Sequence, residues 1–276
     1  MNNKATGKVI FAGAGPGDPD LITVKAARCL QEADVVLTDR LVSEAILHRY
    51  VNSRAEIVRV GKQGHRAGST PQGSINELLV MHALDGKQVV RLKGGDVSVF
   101  SNIFDELDAL VQHRIPYEII PGVTAALGAA AYAGIPLTAR GFSTGVRLLT
   151  FYKSNIIQGP YWKELAQTQD TLVFYMSADM LADAVKLLLE NGTAANRSLA
   201  VIEQATTPMQ QVTVCTLQEC VNSLHGKTFL SPSLIIIGKV AELYSRFRWL
   251  KNSTGQESYF KPVYEALMAA GKSIHV

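Results

Sequence analysis

Three cysteines in 276 residues, Cys29, Cys215 and Cys220, are odd in number and none is spaced as a metal ligand pair. A disulfide framework is therefore disfavoured, and reduced buried thiols in a cytosolic protein are the expectation. Long apolar runs are also missing. Residues 122–137 come nearest but are interrupted by Gly and Pro, short of the roughly 18 residues a membrane span needs. The opening MNNKATGK leads straight into a strand and has no signal-peptide core. Charge of one sign is scarce: 27 Lys and Arg against 24 Asp and Glu leave +3. No global field argues for nucleic acid, so an acidic ligand must be met by local clusters. With 47% apolar and 18% charged residues, the chain can bury a core as one large domain or two ordinary ones.

The chain is organised around residues 8–43. Lys8 to Ala12 reads as a strand that empties into Gly13, Gly15, Pro16 and Gly17, where backbone can turn sharply and approach a ligand. Asp18 and Asp20 around Pro19 signal a helix start. Ile22, Ala26, Cys29, Leu30 and Ala33 then recur at helical spacing, and Asp34 to Leu37 returns as a strand ending at Thr38-Asp39. Such a β-loop-α-β unit places a ligand at the carboxyl ends of parallel strands. The loop reads G-x-G-x-G-D. It is neither the dinucleotide G-x-G-x-x-G nor a phosphate loop with Lys-Ser/Thr. On its own it is equally a tight strand-to-helix turn, and with Asp39 as a ribose partner a dinucleotide stays open.

Further strands are expected at Glu56–Val60, Gln88–Leu92 and Tyr117–Ile120, with helical stripes through Ile75–Ala83 and Ile103–Val111. Lys93-Gly94-Gly95-Asp96 then reaches the same edge as Gly13–Gly17, and two glycine loops favour a pocket more than one does. Thr124–Gly134, nearly all Ala and Gly, reads as a helix packed closely on a sheet, with backbone donors at its start. Ile135-Pro136-Leu137-Thr138 breaks the periodicity and marks the boundary between domains at 7–136 and 137–250. The second half reads as strands at 146–151, 171–175, 199–202, 212–215 and 233–237, with helices at 179–190, 217–224 and 239–248. Two consecutive strands near 199–216 imply an antiparallel pair in a mixed sheet. Residues 251–276 form an extension with a weak amphipathic stretch (Val263, Leu267, Met268) and no role legible in the sequence.

The stretch GAGPGDPDLITVKAARCLQEADVVLTDRLVS, followed in order by VGK at 60–62, VVRLKGGD at 89–96, PGVTAALGAAAYAGIPLT at 121–138 and SPSLIIIGKV at 231–240, resembles the tetrapyrrole methylases, and among them the uroporphyrinogen-III C-methyltransferases. The resemblance covers roughly residues 7–250. It implies a two-domain α/β fold, with a parallel sheet in the first domain, a mixed sheet in the second and the active site in the cleft between them. It also implies two methyl transfers from S-adenosylmethionine to carbons of uroporphyrinogen III. These give precorrin-2 for sirohaem- or cobalamin-type synthesis, with S-adenosylhomocysteine as by-product, in a homodimer; the low net charge and the missing apolar span separately lead to the expectation of no nucleic-acid and no membrane partner.

By position, the resemblance implies a cofactor pocket of Pro16, Gly94, Gly95, Asp96, Val99, Thr124, Ala125, Met176 and Ala205. Asp96 would take up the cofactor's ammonium, and Ala205 stands where the family usually has Gly. Asp39 matches the family's proton acceptor and Lys62 its proton donor. Read without the family, Asp39 caps a helix at Leu41–Ile46, Lys62 is a solvated charge and Met176 is a core residue at a strand end. The chain departs from the family on the substrate side: GGDPFxFGRGGEE becomes GGDVSVFSNIFDE, so Val97 replaces Pro and Ser101-Asn102 replaces Gly-Arg. Gln63, Ala139 and Tyr152 interrupt three further motifs. Arg66, Arg140 and Lys153 are the cations expected to compensate, and Val97 is expected to loosen its loop. The alternatives are a same-fold methyltransferase acting on another substrate and a non-catalytic homologue that binds cofactor or tetrapyrrole.

Overall fold

The computed structural model describes residues 5–60, 71–154, 156–223 and 227–260. Lys62, Arg66, the loop expected at 61–70 and the stretch expected at 263–268 lie outside them. Contacts divide the chain into one unit running to Thr124 and a second at Ala125–Tyr259.

The first unit alternates strand and helix: β1 (Lys8–Gly13), α1 (Val24–Glu32), β2 (Val35–Thr38), α2 (Glu44–Tyr50), β3 (Glu56–Arg59), α3 (Gln72–Leu84), β4 (Gln88–Lys93), α4 (Phe104–Gln112) and β5 (Tyr117–Ile120). All five strands are parallel, in the order β3-β2-β4-β1-β5. The near-continuous apolar strands follow from burial on both faces. Ile10, Ala12, Val36, Val90 and Leu92 meet Ala26, Leu30, Ile46 and Leu47 of α1 and α2. Val9, Phe11, Val35, Leu37 and Val89 face Ile75, Leu79, Ala83 and Leu110 of α3 and α4. The expected helix start at Asp18 is a separate 3₁₀ turn, Pro19–Leu21, capped by Asp18. The α-helix proper begins after Thr23, whose Oγ1 accepts from Ala26 N–H at 3.2 Å.

The second unit contains α5 (Ala125–Ala133), β6 (Val146–Thr150), α6 (Gly159–Gln167), β7 (Thr171–Tyr175), α7 (Leu181–Glu190), β8 (Ser198–Glu203), β9 (Gln211–Thr216), α8 (Leu217–Ser223), β10 (Ser233–Ile237) and a short α9 (Tyr244–Phe247). Its sheet runs β6-β7-β10-β8-β9, with β6 and β7 parallel and every other pair antiparallel. The expected β8–β9 antiparallel pair is present. One face buries Leu149, Phe151, Leu172, Phe174, Val201 and Ile235 under α6, α7 and α8. Helix α6 is absent from the sequence reading. Pro160 occupies its first turn, and Trp162, Leu165 and Ala166 form its buried side. The span read as one helix at 239–248 is a 3₁₀ segment, Lys239–Leu243, running into α9.

The alanine-rich α5 lies against β10 of this second sheet, with Ala126, Gly128, Ala129, Ala130 and Ala133 buried. The division between units thus falls ahead of α5, whereas the break in sequence periodicity falls after it.

Trp162 carries much of the second core. Its ring stands edge-on to Phe151 with centroids 5.0 Å apart and stacks over Phe174 at 6.3 Å. Trp162→Ala should lower unfolding free energy by about 3–5 kcal/mol in urea titration. A loss below about 1 kcal/mol would mean the core closes over the gap.

Candidate functional site

Because β1 lies between β4 and β5, the three chain exits at their carboxyl ends are neighbours. The loops after β1 and β4 are zipped together: Ala14 N–H donates to Lys93 O at 2.8 Å, Gly15 N–H to Gly95 O at 3.1 Å, and Gly95 N–H to Gly15 O at 2.7 Å. Gly15 and Gly95 adopt φ of +79° and +72°, the region that favours glycine. A Cβ on Gly122, in the exit of β5, would fall 2.3 Å from Gly95 O, and one on Gly13 would fall 2.6 Å from Gly122 Cα. Three backbones therefore touch where any side chain would separate them. Gly94 is closed in by Leu41, whose Cβ would be 2.7 Å from an added methyl.

Asp96 fastens this junction. Its Oδ2 accepts from Gly122 N–H at 2.9 Å, and its Oδ1 from Ser98 N–H at 2.8 Å and Ser98 Oγ at 2.5 Å. The residue is only 7% exposed. Burial pushes its carboxyl up, but the Ser98 hydroxyl and the Gly122, Ser98 and Val99 N–H groups together hold it below the usual carboxylate range. The carboxylate is thus committed first to its own loops, and a cofactor ammonium would have to share it. Pro16 is buried, while Gly94, Gly95, Val99 and Thr124 are half-buried. Small, partly accessible groups at the carboxyl edge of a parallel sheet fit a flat organic cofactor approached through backbone.

Asp39 directly follows β2, and its half-buried side chain accepts Leu41 N–H at 2.9 Å. Helix α2 begins later, behind Ser43, so Asp39 shapes a turn and does not cap a helix at Leu41–Ile46. Beside it lies a cluster the sequence reading passed over. Arg91 and Lys93 project from the same face of β4 onto Glu106 of α4, which is 1% exposed. Arg91 Nε reaches Glu106 Oε1 at 3.1 Å, and Lys93 Nζ reaches Oε2 at 3.3 Å. Arg91 also donates to the Leu37 and Leu92 carbonyls. Burial, and then the Arg91 charge, pull the Lys93 ammonium below its ordinary range, against the opposing pull of Glu106 and Asp39. The available signal was two cations at alternate positions of a strand otherwise buried on both faces.

The altered 97–102 stretch is packed at one end and hydrogen-bonded within itself. Val97 is buried with Val9, Phe11 and Leu110, and Ser101 Oγ donates to the Val97 carbonyl. Phe100 and Asn102 both adopt φ of +52°. Asn is among the few side chains that tolerate this region, so its presence at 102 has a conformational reason.

In the second unit, β10 runs antiparallel between β7 and β8, pairing Leu234 with Tyr175 and Ser233 with Glu203. Met176 and Ala205 therefore follow strands that end at one sheet edge. Lys153 follows β6 to that same edge and is exposed, with Nζ 5.8 Å from the Tyr152 ring centroid. Arg140 stands elsewhere: its neighbour Gly141 accepts Lys239 Nζ at 3.4 Å, and Lys239 follows the opposite end of β10. Met176 is 56% exposed and left-handed, at φ +53°. It is therefore no core methionine. Ala205 is buried, and the Ala126 N–H at the start of α5, next to Ala125, is taken by Tyr175 Oη at 3.0 Å. Among the described residues no three metal-ligating side chains cluster, and no helix is long and apolar enough to cross a membrane.

Interlocked glycine exits at the carboxyl edge of a parallel sheet define an α/β protein of the ligand-binding class. The chain belongs to the tetrapyrrole (corrin/porphyrin) methylase family, whose model matches residues 8–221. It is 43% identical over 246 residues to a siroheme synthase of Saccharophagus degradans, and 43% identical over 248 residues to one of Azotobacter vinelandii. These alignments take in 89% and 90% of this chain but 53% of each relative. The chain thus spans about half the length of the curated relatives it matches. Among solved structures, uroporphyrin-III-C-methyltransferase of Thermus thermophilus superimposes with a TM-score of 0.74 at 33% identity, covering 89% of this chain and 98% of that one. The Thermus thermophilus enzyme complexed with S-adenosyl homocysteine gives a TM-score of 0.71 at 35% identity, covering 86% and 94%.

The depressed Asp96 carboxyl stabilises the fold fully above the unfolded carboxylate value near pH 4, and this is lost as pH falls through the folded value. Asp96→Asn should cost about 1.5–3 kcal/mol at pH 7. The gap from wild type should narrow in urea titrations below about pH 4. Equal urea midpoints at pH 7 would detach this carboxylate from the loop junction.

Proposed function

We propose that the chain is the methylating module for uroporphyrinogen III, transferring two methyl groups to ring carbons to give precorrin-2 in sirohaem-type synthesis. The observation that carries this reading is the Gly13–Gly95–Gly122 junction fastened by Asp96, in a chain similar to siroheme synthases over most of its length. When bound, S-adenosylmethionine supplies an electrophilic methyl on a sulfonium. Pro16, Gly94, Gly95, Asp96, Val99 and Thr124 are the proposed cofactor residues of the first unit, and Ala125, Met176 and Ala205 those of the second. Met176 offers an exposed thioether at a strand end, and Ala205 a small group.

Asp39 is the proposed acceptor of the proton that leaves the methylated ring carbon. Its carboxylate is fixed by Leu41 N–H, and Leu41 is itself fixed against Gly94, so it is oriented before substrate arrives. Lys62 is the proposed donor, and Arg66, Arg140 and Lys153 are proposed to meet the substrate's carboxylates. Only Cys220 of the three free thiols is buried as expected, Cys29 and Cys215 being half-buried because each lies at the margin of its core, and unpaired thiols suit a cytoplasmic location.

Calorimetry should show S-adenosylhomocysteine binding to wild type and to Asp39→Asn alike. With labelled cofactor and enzymatically generated uroporphyrinogen III, Asp39→Asn should slow methyl transfer by roughly 10²–10⁴-fold. No transfer by wild type despite cofactor binding would favour a same-fold methyltransferase for a less acidic substrate. The observation favouring that second reading is Asn102, set left-handed where the family pattern carries arginine. Binding of neither cofactor nor tetrapyrrole would end both readings.

We propose, too, that the chain forms a homodimer. Trp249 is 61% exposed even though its Nε1 donates to Ala131 O at 2.8 Å, and Leu127 and Phe247 of the same unit are likewise exposed apolar side chains, the kind of surface a partner covers. Light scattering at micromolar concentration should give twice the 29.9 kDa chain mass. A monomer at every concentration would refute it.

A further inference from the structure

Residues 252–259 lie beyond the last helix among the described residues and beyond the segment the family model matches. They meet the start of β9, the edge strand of the second sheet, and Gln204 just past β8. Asn252 brackets Val212: Val212 N–H donates to Asn252 Oδ1 and Asn252 Nδ2 to Val212 O, both at 2.9 Å. Ser253 N–H donates to Gln210 O at 2.9 Å, and Gln211 Nε2 to Gly255 O at 2.6 Å. Farther along, Gln204 Nε2 donates to Glu257 O at 3.0 Å, and Gln204 Oε1 accepts Tyr259 N–H at 2.6 Å. The segment is thus held at two points, on either side of the loop 205–210.

That loop has a shape which non-glycine residues hold only when the surroundings enforce it. Gln204 sits at φ +47° and Thr206 at +64°. Gln210 closes the loop from within, its Oε1 accepting Thr206 N–H at 2.9 Å and its Nε2 donating to Tyr132 O at 3.2 Å. The Gln204 side chain is fully buried, and both of its amide atoms are spent on residues 257–259. Without that segment a buried primary amide would lose both partners, a situation folded proteins avoid.

We infer that Asn252–Tyr259 is a strap, anchored by the Gln204 amide, that positions the loop carrying Ala205 for the cofactor. This inference rests on the proposed methyltransferase reading, since it takes the Ala205 loop as part of the cofactor site. Gln204 is then a positioning residue: it touches the strap and not the ligand.

The test uses the full chain with Gln204→Ala and, at the other anchor, Gln211→Ala, which removes only the bond to Gly255. Hydrogen exchange is read at the Thr206 and Gln210 amides and at β7 and β10, and S-adenosylhomocysteine affinity by calorimetry. The expected result for Gln204→Ala is exchange at Thr206 and Gln210 faster by about tenfold or more, β7 and β10 unchanged, and affinity weaker by about tenfold. Gln211→Ala should move both readings in the same direction by less, and it decides the matter if Gln204→Ala does not fold. Wild-type exchange at Thr206 and Gln210 in a folded variant overturns the strap. Faster exchange with unchanged affinity overturns its link to the cofactor. Failure of the wild-type chain to bind S-adenosylhomocysteine overturns the functional reading and the cofactor role together, and the exchange data still decide whether the strap holds the loop.

Discussion

Contact between bare backbones at Gly13, Gly95 and Gly122 is the constraint on which the first unit's site depends. A close approach of this kind cannot be made by side-chain chemistry, only by omitting side chains, and it needs three chain exits to be adjacent in space. The strand order supplies that adjacency. β1, first in sequence, is inserted between β4 and β5, so segments some eighty and a hundred residues downstream return to its end. The Asp96 carboxylate then draws N–H groups from both the β4 and β5 exits onto one residue. Fold and site are here one arrangement, since the sheet order matters to the loops as much as to the core.

Beneath the junction, charge is organised in the opposite manner. Arg91, Lys93 and Glu106 bring two cations and one carboxylate into a nearly dry space. Burying such groups is costly unless each is paired. Carbonyls of Leu37 and Leu92 take up part of the Arg91 donor set, and the negative charge of Asp39 is felt at Lys93. The position of α4 against β4 is therefore specified by directional bonds as well as by apolar contact. The segment after β4 is anchored at its start by Asp96 and at its end by Glu106.

The alternation of apolar strands and amphipathic helices made most of the first unit legible in sequence, because both faces of a parallel sheet must be buried. The glycine loops were legible as a site for the same reason, with their spacing tied to strand ends. Helix α6 was not: Gly159, Pro160 and two aromatics give it a weak helical signature, and its identity comes from Trp162 filling the second core. Asp39 was found, but its local role was not, because an aspartate two residues before an N–H can shape a turn or cap a helix and only the later helix start decides. The Arg91–Lys93–Glu106 cluster was hidden by its own burial, which sequence reasoning assigns to apolar residues. The partners of residues 252–259 were illegible because its bonds run mostly through backbone atoms, and backbone atoms leave no trace in composition.

Met176 combines two properties that pull apart. Its left-handed backbone would be relieved by glycine, since an L side chain in that region costs roughly 1–2 kcal/mol, and its half-open side chain contributes little burial in return. Selection for stability alone would therefore drift away from methionine at this strand end, and β-branched residues are disfavoured there unless the surroundings enforce the shape, as they do at Thr206. Across a set of variants ranked by thermal resistance, position 176 should thus be one where gains in robustness and retention of a thioether are in conflict.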